Sequence, residues 1–340
     1  MKSQPDTRTH GQDVRMRAAV YRRFGPPEVV HIEEVPKPQP GPDEVLVKVY
    51  ASTVSAADYR SRSRKVPKGL GLPTALALGV FRPRKRVLGM DVAGVVEAVG
   101  ARVTSFEPGD PVIAMLGSRF GGHAEYVCIP QDGAIAAMPR NMTFTDAVTL
   151  VFGGTTAHAF LGRAAIKPGS TVLVNGASGA VGTAAVQLAA QKGARVTGVC
   201  SGAHRELVTA LGADRVIDYA DEDFLIEGQT YDVIMDCVGN APFERVEAGI
   251  NPGGALLLVI SDLRGMLLAP WRSRRSGKLV TSGNAGQAAE ALADLVDLAE
   301  SGRFEAVIDR TYDLADIAAA HRYVDEGHKA GNVVLRIAAG

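Results

Sequence analysis

The apolar positions of this 340-residue chain follow two rhythms, and the change between them divides the sequence. From Met16 to about Pro139, short apolar runs are separated by Gly and Pro turns, which is typical of β-strands in a compact all-β unit. After Pro139, strand-like runs rich in Val and Ile, without polar alternation, alternate with helical stretches. This second pattern predicts a parallel sheet with helices on both faces.

The length of the chain also favours two domains, because 340 residues exceed what one hydrophobic core usually supports. We expect a disordered leader at residues 1–15, a mostly-β domain over 16–139 and a doubly wound parallel-sheet domain over 140–284. Residues 285–340 are expected to return to the first domain. The leader is polar and lacks the apolar core of a secretory signal, so a cytoplasmic location is expected.

One long basic interruption, residues 60–86, separates two of the predicted strands and reads RSRSRKVPKGLGLPTALALGVFRPRKR. Loops of this length usually serve a function or are mobile. A solvated charged excursion is the alternative interpretation.

The charge balance restricts the class of partner. The chain has 37 basic and 37 acidic residues, which argues against nucleic acid or an anionic membrane as the main partner and favours a small molecule. No apolar run reaches the roughly 18 residues needed to cross a bilayer. The three cysteines, Cys128, Cys200 and Cys237, are odd in number and widely spaced, so they predict neither a disulfide framework nor a CxxC zinc site.

The stretch VNGASGAVG, Val174 to Gly182, lies between a predicted strand and a predicted helix. Ala177, Gly179 and Gly182 have the spacing of a GxGxxG dinucleotide fingerprint with Ala in the first place. Small residues there let the backbone approach a pyrophosphate, whose charge the N–H groups of the following helix would meet. The predicted cofactor contacts are Ala177, Ser178, Gly179, Ala180, Val181 and Gly182. A glycine-rich turn without a ligand is the alternative.

The end of the second predicted strand bears on which dinucleotide binds. An acid at that point would bind a ribose 2′-hydroxyl, but this chain has Ser201, His204 and Arg205, and Glu206 is the first acid. These side chains suit a 2′-phosphate, so NADPH is favoured over NADH. The alternative is that His204 and Arg205 are only exposed residues at the start of a helix.

The whole chain from Met16 to Ile337 resembles the medium-chain dehydrogenase/reductase superfamily, specifically its zinc-lacking quinone oxidoreductase branch. The resemblance rests on the stretch Val174 to Gly182, called the glycine loop from here on, and on further segments. These are MRAAVYRRFGPPEVV, EVPKPQPGPDEVLVKV, VSAAD, VLGMDVAGVVEAVG, FEPGDPVIAM, GGHAEYV, GGTTAH, LGADRVIDY and GNVVLRI. It implies a GroES-like, mostly-β substrate domain built from both chain ends, with a Rossmann domain inserted between them. The active site is then expected in the cleft between the two.

The resemblance also implies that no metal is bound. Where zinc-dependent members carry a Cys-His pair, this chain has Ser55 and Ala56, and their Gly-His-Glu corresponds to Gly89, Met90 and Asp91. Ser and Met do not replace a thiolate or an imidazole as zinc ligands. Without a Lewis acid to form an alkoxide, hydride is expected to pass from the reduced nicotinamide to a quinone or an α,β-unsaturated carbonyl.

By resemblance, Ser55, Asp58 and Tyr59 are candidates for lining the acceptor site, with capping of the loop as an alternative role for Asp58. Trp271 is a candidate for stacking on a planar substrate, or alternatively a packing anchor. The remaining implied cofactor contacts are Thr156, Tyr219, Cys237, Val238, Gly239 and Asn332, the last replacing a lysine found in many relatives.

These observations predict an NADPH-dependent, zinc-independent reductase of quinones or enones. The alternatives are a protein that binds NADPH without turnover and a reductase of enoyl thioesters. The strand KLVTS, Lys278 to Ser282, is expected at a sheet edge, where pairing with a second copy would give a homodimer.

Overall fold

The computed structural model describes residues 14–225, 228–283, 288–327 and 329–338. The predicted leader therefore lies outside the described residues as far as position 13. Arg15, which was expected in the leader, already belongs to the first strand.

The described residues form the strands and helices given below, each class numbered in chain order. The strands are β1 (Arg15–Tyr21), β2 (Val30–Pro36), β3 (Glu44–Thr53), β4 (Asp91–Val99), β5 (Pro111–Met115), β6 (Tyr126–Pro130), β7 (Ala134–Ala137), β8 (Thr171–Asn175), β9 (Arg195–Cys200), β10 (Arg215–Asp218), β11 (Tyr231–Asp236), β12 (Ile250–Leu258), β13 (Leu279–Ser282), β14 (Ile308–Asp313) and β15 (Asn332–Arg336). The helices are α1 (Ala56–Ser63), α2 (Gly71–Leu78), α3 (Phe144–Ala147), α4 (Phe152–Leu161), α5 (Ala180–Gln191), α6 (Arg205–Ala210), α7 (Phe243–Val246), α8 (Leu263–Ser276), α9 (Ala288–Glu300) and α10 (Ile317–Glu326).

The first sheet combines strands from both ends of the chain. Seven strands belong to it, in the order β14-β15-β3-β4-β5-β7, with β6 also paired to β3, while β1 and β2 form a separate antiparallel pair. Strand β3 pairs antiparallel with β15, which brings residues near the C-terminus beside Thr53. The sequence predicted this return, whereas the short strand β7 was missed.

The second sheet has six parallel strands in the order β10-β9-β8-β11-β12-β13. Successive residues of β8 point to opposite faces, so Val172 and Val174 pack in one apolar cluster and Leu173 in another. Both faces are therefore covered, which confirms the doubly wound Rossmann prediction. The domain boundaries at 139/140 and 284/285 stay predictions.

The strand order of this sheet reverses between β8 and β11, since the chain runs outward from β8 to β10 and then restarts on the other side. In open parallel sheets, ligands bind at such a switch point, beyond the carboxyl ends of the strands. The topology therefore places the site beside Asn175 and Asp236, the paired last residues of β8 and β11.

The long interruption at residues 60–86 is not a loop throughout. Its start belongs to α1, and α2 occupies Gly71–Leu78. No helix within the described ranges is long and apolar enough to cross a membrane.

Candidate active site

A cavity of about 990 Å³ lies between the two sheets, at the switch point of the parallel sheet. It is closed on one side where the segment before β15 meets the glycine loop, because the Gly331 N–H donates to the Ser178 carbonyl at 2.6 Å. Both domains therefore contribute walls to one cleft.

The glycine loop turns from β8 into α5 through positions that need small residues. Gly176 has φ +81°, a conformation that favours glycine, and a Cβ on Gly182 would lie only 2.0 Å from the Gly176 carbonyl oxygen. A Cβ on Gly179 would meet only that oxygen, at 3.6 Å, so space remains in front of this residue. The first N–H groups of α5, at Ala180, Val181 and Gly182, have no helical partner and face this space. The loop thus fits the pyrophosphate of a dinucleotide.

Two details of the loop differ from the expected fingerprint. Ala177 is fully buried in the core between β8 and α5 and does not line the cleft, so its expected cofactor contact is wrong. The tight turn is made by Gly176, and the operative spacing is Gly176, Gly179 and Gly182. These three glycines occur at three-residue intervals in the sequence. The sequence analysis missed this signal because it placed the first position of the motif at Ala177.

Asp236 orders the loop that follows β11. Its Oδ1 accepts the N–H groups of Val238 (2.9 Å) and Gly239 (3.0 Å) and the amide of Asn175 (2.9 Å), while Oδ2 accepts the Ala241 N–H (2.9 Å). A fully buried carboxylate with four donors holds this loop against the glycine loop.

Three residues of this loop were expected beside the nicotinamide ribose, and the structure separates them. Cys237 and Val238 line the cleft, but Gly239 lines a second cavity on the far side of the loop, so its contact is not supported. Burial raises the pKa of the Cys237 thiol, and the neighbouring Asp236 raises it further. The thiol therefore stays neutral.

The adenosine end of the cleft is lined by Ser201, His204 and Tyr219. Arg205 does not reach it, because its guanidinium donates to the Val216 carbonyl of β10 at 2.7 Å. The structure therefore does not support the expected role of Arg205 as a phosphate ligand. Asp218 lies close behind Gly202 but is not part of the cleft lining.

Thr156 and Asn332 line the cleft as expected, yet both side chains already have protein partners. The Thr156 hydroxyl donates to the Phe152 carbonyl (2.7 Å), and the Asn332 amide to the Val307 carbonyl (3.1 Å). The free lone pairs of the Thr156 hydroxyl and the Asn332 amide oxygen remain available to a ligand.

Lys329 supplies a cation in this wall that the sequence reasoning missed. Its Nζ donates to the Gly331 carbonyl at 2.6 Å and so lies beside the contact between Gly331 and the glycine loop. Burial lowers the pKa of Lys329 to about 8, partly offset by Asp309. Asn332 replaces a lysine found in many relatives, and Lys329, three positions earlier, supplies a cation to the same wall of the cleft.

Ser55 and Asp58 form the N-terminal cap of α1. The Ser55 hydroxyl donates to Asp58 Oδ2 (2.6 Å), the Asp58 N–H donates back to Ser55 Oγ (3.3 Å), and Asp58 Oδ1 accepts the Gly89 N–H (2.9 Å). Ser55 lines the cleft, but Asp58 is fully buried and does not. Its expected catalytic role is therefore replaced by capping, the alternative considered for it.

Tyr59 and Arg60 follow this cap on α1, and both line the cleft. Within the described part of the chain, neither the Tyr59 hydroxyl nor the Arg60 guanidinium has a hydrogen-bond partner. Burial lowers the pKa of Arg60 while Tyr59 raises it. This pair offers donors to a negative oxygen. Arg60 was not identified from the sequence because it reads as the first residue of the basic interruption.

The positions that correspond to zinc ligands have other partners. Met90 packs against the apolar cluster of the β domain, and Asp91 is buried, accepting hydrogen bonds from the Thr53 N–H (2.8 Å) and the Thr53 hydroxyl (2.6 Å). Desolvation raises the pKa of Asp91 to about 7. Among the residues the structure describes, no group of three or more His, Cys, Asp or Glu side chains is arranged to hold a metal ion.

Trp271 does not stack over the cleft. It lies on the outer face of α8, 54% exposed, with the Arg275 guanidinium 5.1 Å from its ring centre. It is absent from the cleft lining, so the substrate role is wrong, and its exposure also excludes the packing-anchor role.

Comparison with known proteins gives the same assignment for both domains. Residues 41–140 match the family described as "Alcohol dehydrogenase GroES-like domain", and residues 211–335 match "Zinc-binding dehydrogenase". The chain is 31% identical to "Quinone-oxidoreductase QR1, chloroplastic" of Triphysaria versicolor, over 94% of this chain and 98% of the relative. It is 29% identical to "NADPH-dependent alkenal/one oxidoreductase, chloroplastic" of Arabidopsis thaliana, over 94% and 79%.

A solved structure, the quinone oxidoreductase from Coxiella burnetii, superposes with a TM-score of 0.84 at 27% identity, covering 96% of this chain and 100% of that one. The cytoplasmic location expected from the sequence is contradicted, because the curated relatives named above are chloroplastic proteins.

Proposed function

We propose that this protein reduces quinones or α,β-unsaturated carbonyls with NADPH. The chain belongs to the medium-chain dehydrogenase/reductase superfamily and to its quinone oxidoreductase branch, which supports this activity. The observation that carries the proposal is the cleft itself. Its glycine loop, the loop held by Asp236 and the unpaired donors of α1 line one cavity.

Bound NADPH would supply the hydride. The first turn of α5 binds the pyrophosphate, Lys329 adds a positive charge beside it, and Asp236 positions the Cys237–Val238 segment. The hydroxyls of Ser201 and Tyr219 and the imidazole of His204 would receive the adenosine 2′-phosphate. The cleft lining at that end contains no acid to repel it.

The acceptor gains negative charge on its oxygen as hydride adds to it. The Arg60 guanidinium and the Tyr59 hydroxyl are the donors on α1 that can stabilise this oxygen, because neither is occupied by a protein acceptor in the described structure. The Ser55 hydroxyl already donates to Asp58, so Ser55 orients the start of α1 rather than donating to the acceptor.

Reduction at this site is proposed to need no metal. The Ser55 hydroxyl donates to Asp58, Met90 packs against the apolar cluster, and the buried Asp91 carboxyl accepts the Thr53 hydroxyl. All three positions that correspond to zinc ligands therefore have other contacts. The protein donors Arg60 and Tyr59 would take the role of a Lewis acid.

The test is NADPH oxidation against a panel of quinones and conjugated enones, with Arg60→Gln and Tyr59→Phe as variants and Arg140→Gln, an exposed cation outside the cleft, as the matched control. We expect the Arg60 variant to lose most of kcat while NADPH affinity is retained. Tight NADPH binding without turnover on any acceptor would instead indicate a binding protein.

The assembly is proposed to be a homodimer formed along β13. This strand is at one edge of the parallel sheet and, among the described strands, pairs only with β12, which leaves its other side without a neighbouring strand. The backbone groups of Val280 contact the Ser273 hydroxyl, so pairing with a second copy would use the other residues of β13. Light scattering at micromolar concentration should give twice 35.7 kDa, and the mass of a single chain would exclude this assembly.

A further inference from the structure

Two segments outside the cleft are basic and free of acids. Residues 64–86 contain seven Lys and Arg and no Asp or Glu, and α8 contains four Arg and no acid. The rest of the chain therefore carries 26 basic and 37 acidic residues. The balanced net charge hides a strong asymmetry, because the two segments concentrate positive charge and the remainder is acidic.

The two segments meet in the structure. The Leu263 N–H at the start of α8 donates to the Lys68 carbonyl at 3.1 Å, and Gly69 packs directly against Leu263. Helix α2 begins two residues after Gly69, so α2 and α8 both start from this contact. We call residues 64–86 together with α8 the basic apolar surface.

Large apolar side chains stand exposed among these cations. Phe81 is 91% exposed, Leu72 is 71% exposed and Leu267 is 70% exposed. On α8, Arg264, Leu267 and Trp271 follow one another at intervals of three and four residues along one face. The opposite face of α8 packs inward through Gly265, Ala269 and Arg272, and Arg272 is ion-paired with Glu244. The exposed cations of α8 are therefore its other three Arg residues.

We propose that the basic apolar surface docks this protein on the surface of an anionic lipid bilayer, with Phe81, Leu72 and Leu267 entering the interface and the surrounding Lys and Arg meeting lipid phosphates. Amphipathic surfaces of this composition bind by burying apolar side chains at the headgroup boundary, and cations add attraction to anionic lipids. Trp271, with its apolar ring under Arg275, has the amphipathic character of interfacial aromatics.

Other binding partners would explain fewer features of the basic apolar surface than an anionic bilayer does. Nucleic acid would use the cations but gain nothing from three exposed Leu and Phe side chains. A second copy in a two-fold arrangement would bring like charges together. This proposal does not depend on the catalytic one, and it replaces the expectation of no membrane partner, which considered only the charge of the whole chain.

The test is co-sedimentation with vesicles of phosphatidylcholine alone and of phosphatidylcholine mixed with phosphatidylglycerol, at low and high salt. The wild type should bind the anionic vesicles, weakly or not at all the neutral ones, and less at high salt. Lys85→Gln should weaken this binding about fivefold, the effect of one cation near an anionic surface. Phe81→Gln and Leu267→Gln should each weaken it at both salt concentrations.

Lys192→Gln and Arg140→Gln are the matched controls, since these exposed cations lie outside the basic apolar surface; both should bind vesicles like the wild type. Unchanged melting temperatures verify that each variant is folded. Absent binding, or equal binding to neutral and anionic vesicles, overturns the proposal. It is also overturned if duplex DNA binds and the apolar variants change nothing, or if the apolar variants turn a dimer into monomers.

Discussion

Replacing Lys329 by Met tests whether the cleft holds the cofactor as proposed. The change keeps the length of the side chain and removes one cation beside the glycine loop, where Gly331 bonds to Ser178. One charge-assisted hydrogen bond is worth about 1.5–3 kcal/mol, so the dissociation constant of NADPH should rise by roughly one to two decades. NADH should lose as much, because both cofactors share the pyrophosphate.

The same residue gives binding a pH dependence of predictable sign. In the free protein, burial lowers the pKa of Lys329 to about 8, and the facing carboxylate of Asp309 raises it. A bound phosphate favours the protonated amine, so binding takes up a proton once the free amine is neutral. Affinity should therefore be highest below pH 8 and fall as the pH rises through that value. Above about pH 7, a phosphomonoester is already a dianion and adds no slope of its own.

The measurement is a fluorescence titration of NADPH from neutral to alkaline pH with the wild type, Lys329→Met and Lys329→Arg. The Met variant should bind weakly with a flat profile, and the Arg variant should bind well with a flat profile, because its charge persists. Lys192→Met, an exposed lysine outside the cleft, should behave as wild type. A Met variant that keeps both the affinity and the alkaline decline would refute the assignment of Lys329.

Three further predictions concern the cofactor loop, the choice of cofactor and the metal. Gly182→Ala should lower both the melting temperature and NADPH affinity, because its Cβ would lie 2.0 Å from a backbone oxygen, whereas Gly179→Ala should lower affinity alone; differential scanning calorimetry and titration separate the two. His204→Ala should narrow the preference for NADPH over NADH, and Arg205→Ala, whose guanidinium is bound to Val216, should leave the ratio of dissociation constants unchanged. Protein treated with a chelator should reduce its best acceptor at the same rate as untreated protein. The prediction is contradicted if the chelator abolishes activity and zinc alone restores it.

The sequence predicted those parts of the molecule that local patterns determine. Val-rich runs indicate strands buried on both faces, and small residues between a strand and a helix indicate a turn at a phosphate, so the Rossmann sheet and its loop followed directly. Side-chain direction could not be predicted in the same way. Arg205 turns to the carbonyl of Val216 on the neighbouring strand β10, and Lys329 enters the cleft because β15 pairs back onto β3. The first outcome depends on how α6 packs against the next strand, and the second depends on strands from opposite ends of the chain.

Asp91 shows how such long-range packing gives a residue a property absent from its sequence context, and it yields the final prediction. Its carboxyl is buried among Thr53 and Ser52 donors, with Asp58 nearby raising its pKa and His123 bonded to the Thr53 carbonyl. The pKa of Asp91 is about 7 in the folded protein against a reference value of 3.8.

The folded state therefore binds more protons between these two values, and its stability must fall as the pH rises from about 4 to 7, by at most about 4 kcal/mol. Asp91→Asn cannot ionise and should remove this decline, so its melting temperature should exceed that of the wild type most at pH 8 and least at pH 5. Parallel melting profiles across this range would mean that Asp91 ionises freely in the fold, and that Thr53 and Ser52 hold a carboxylate whose charge the core tolerates.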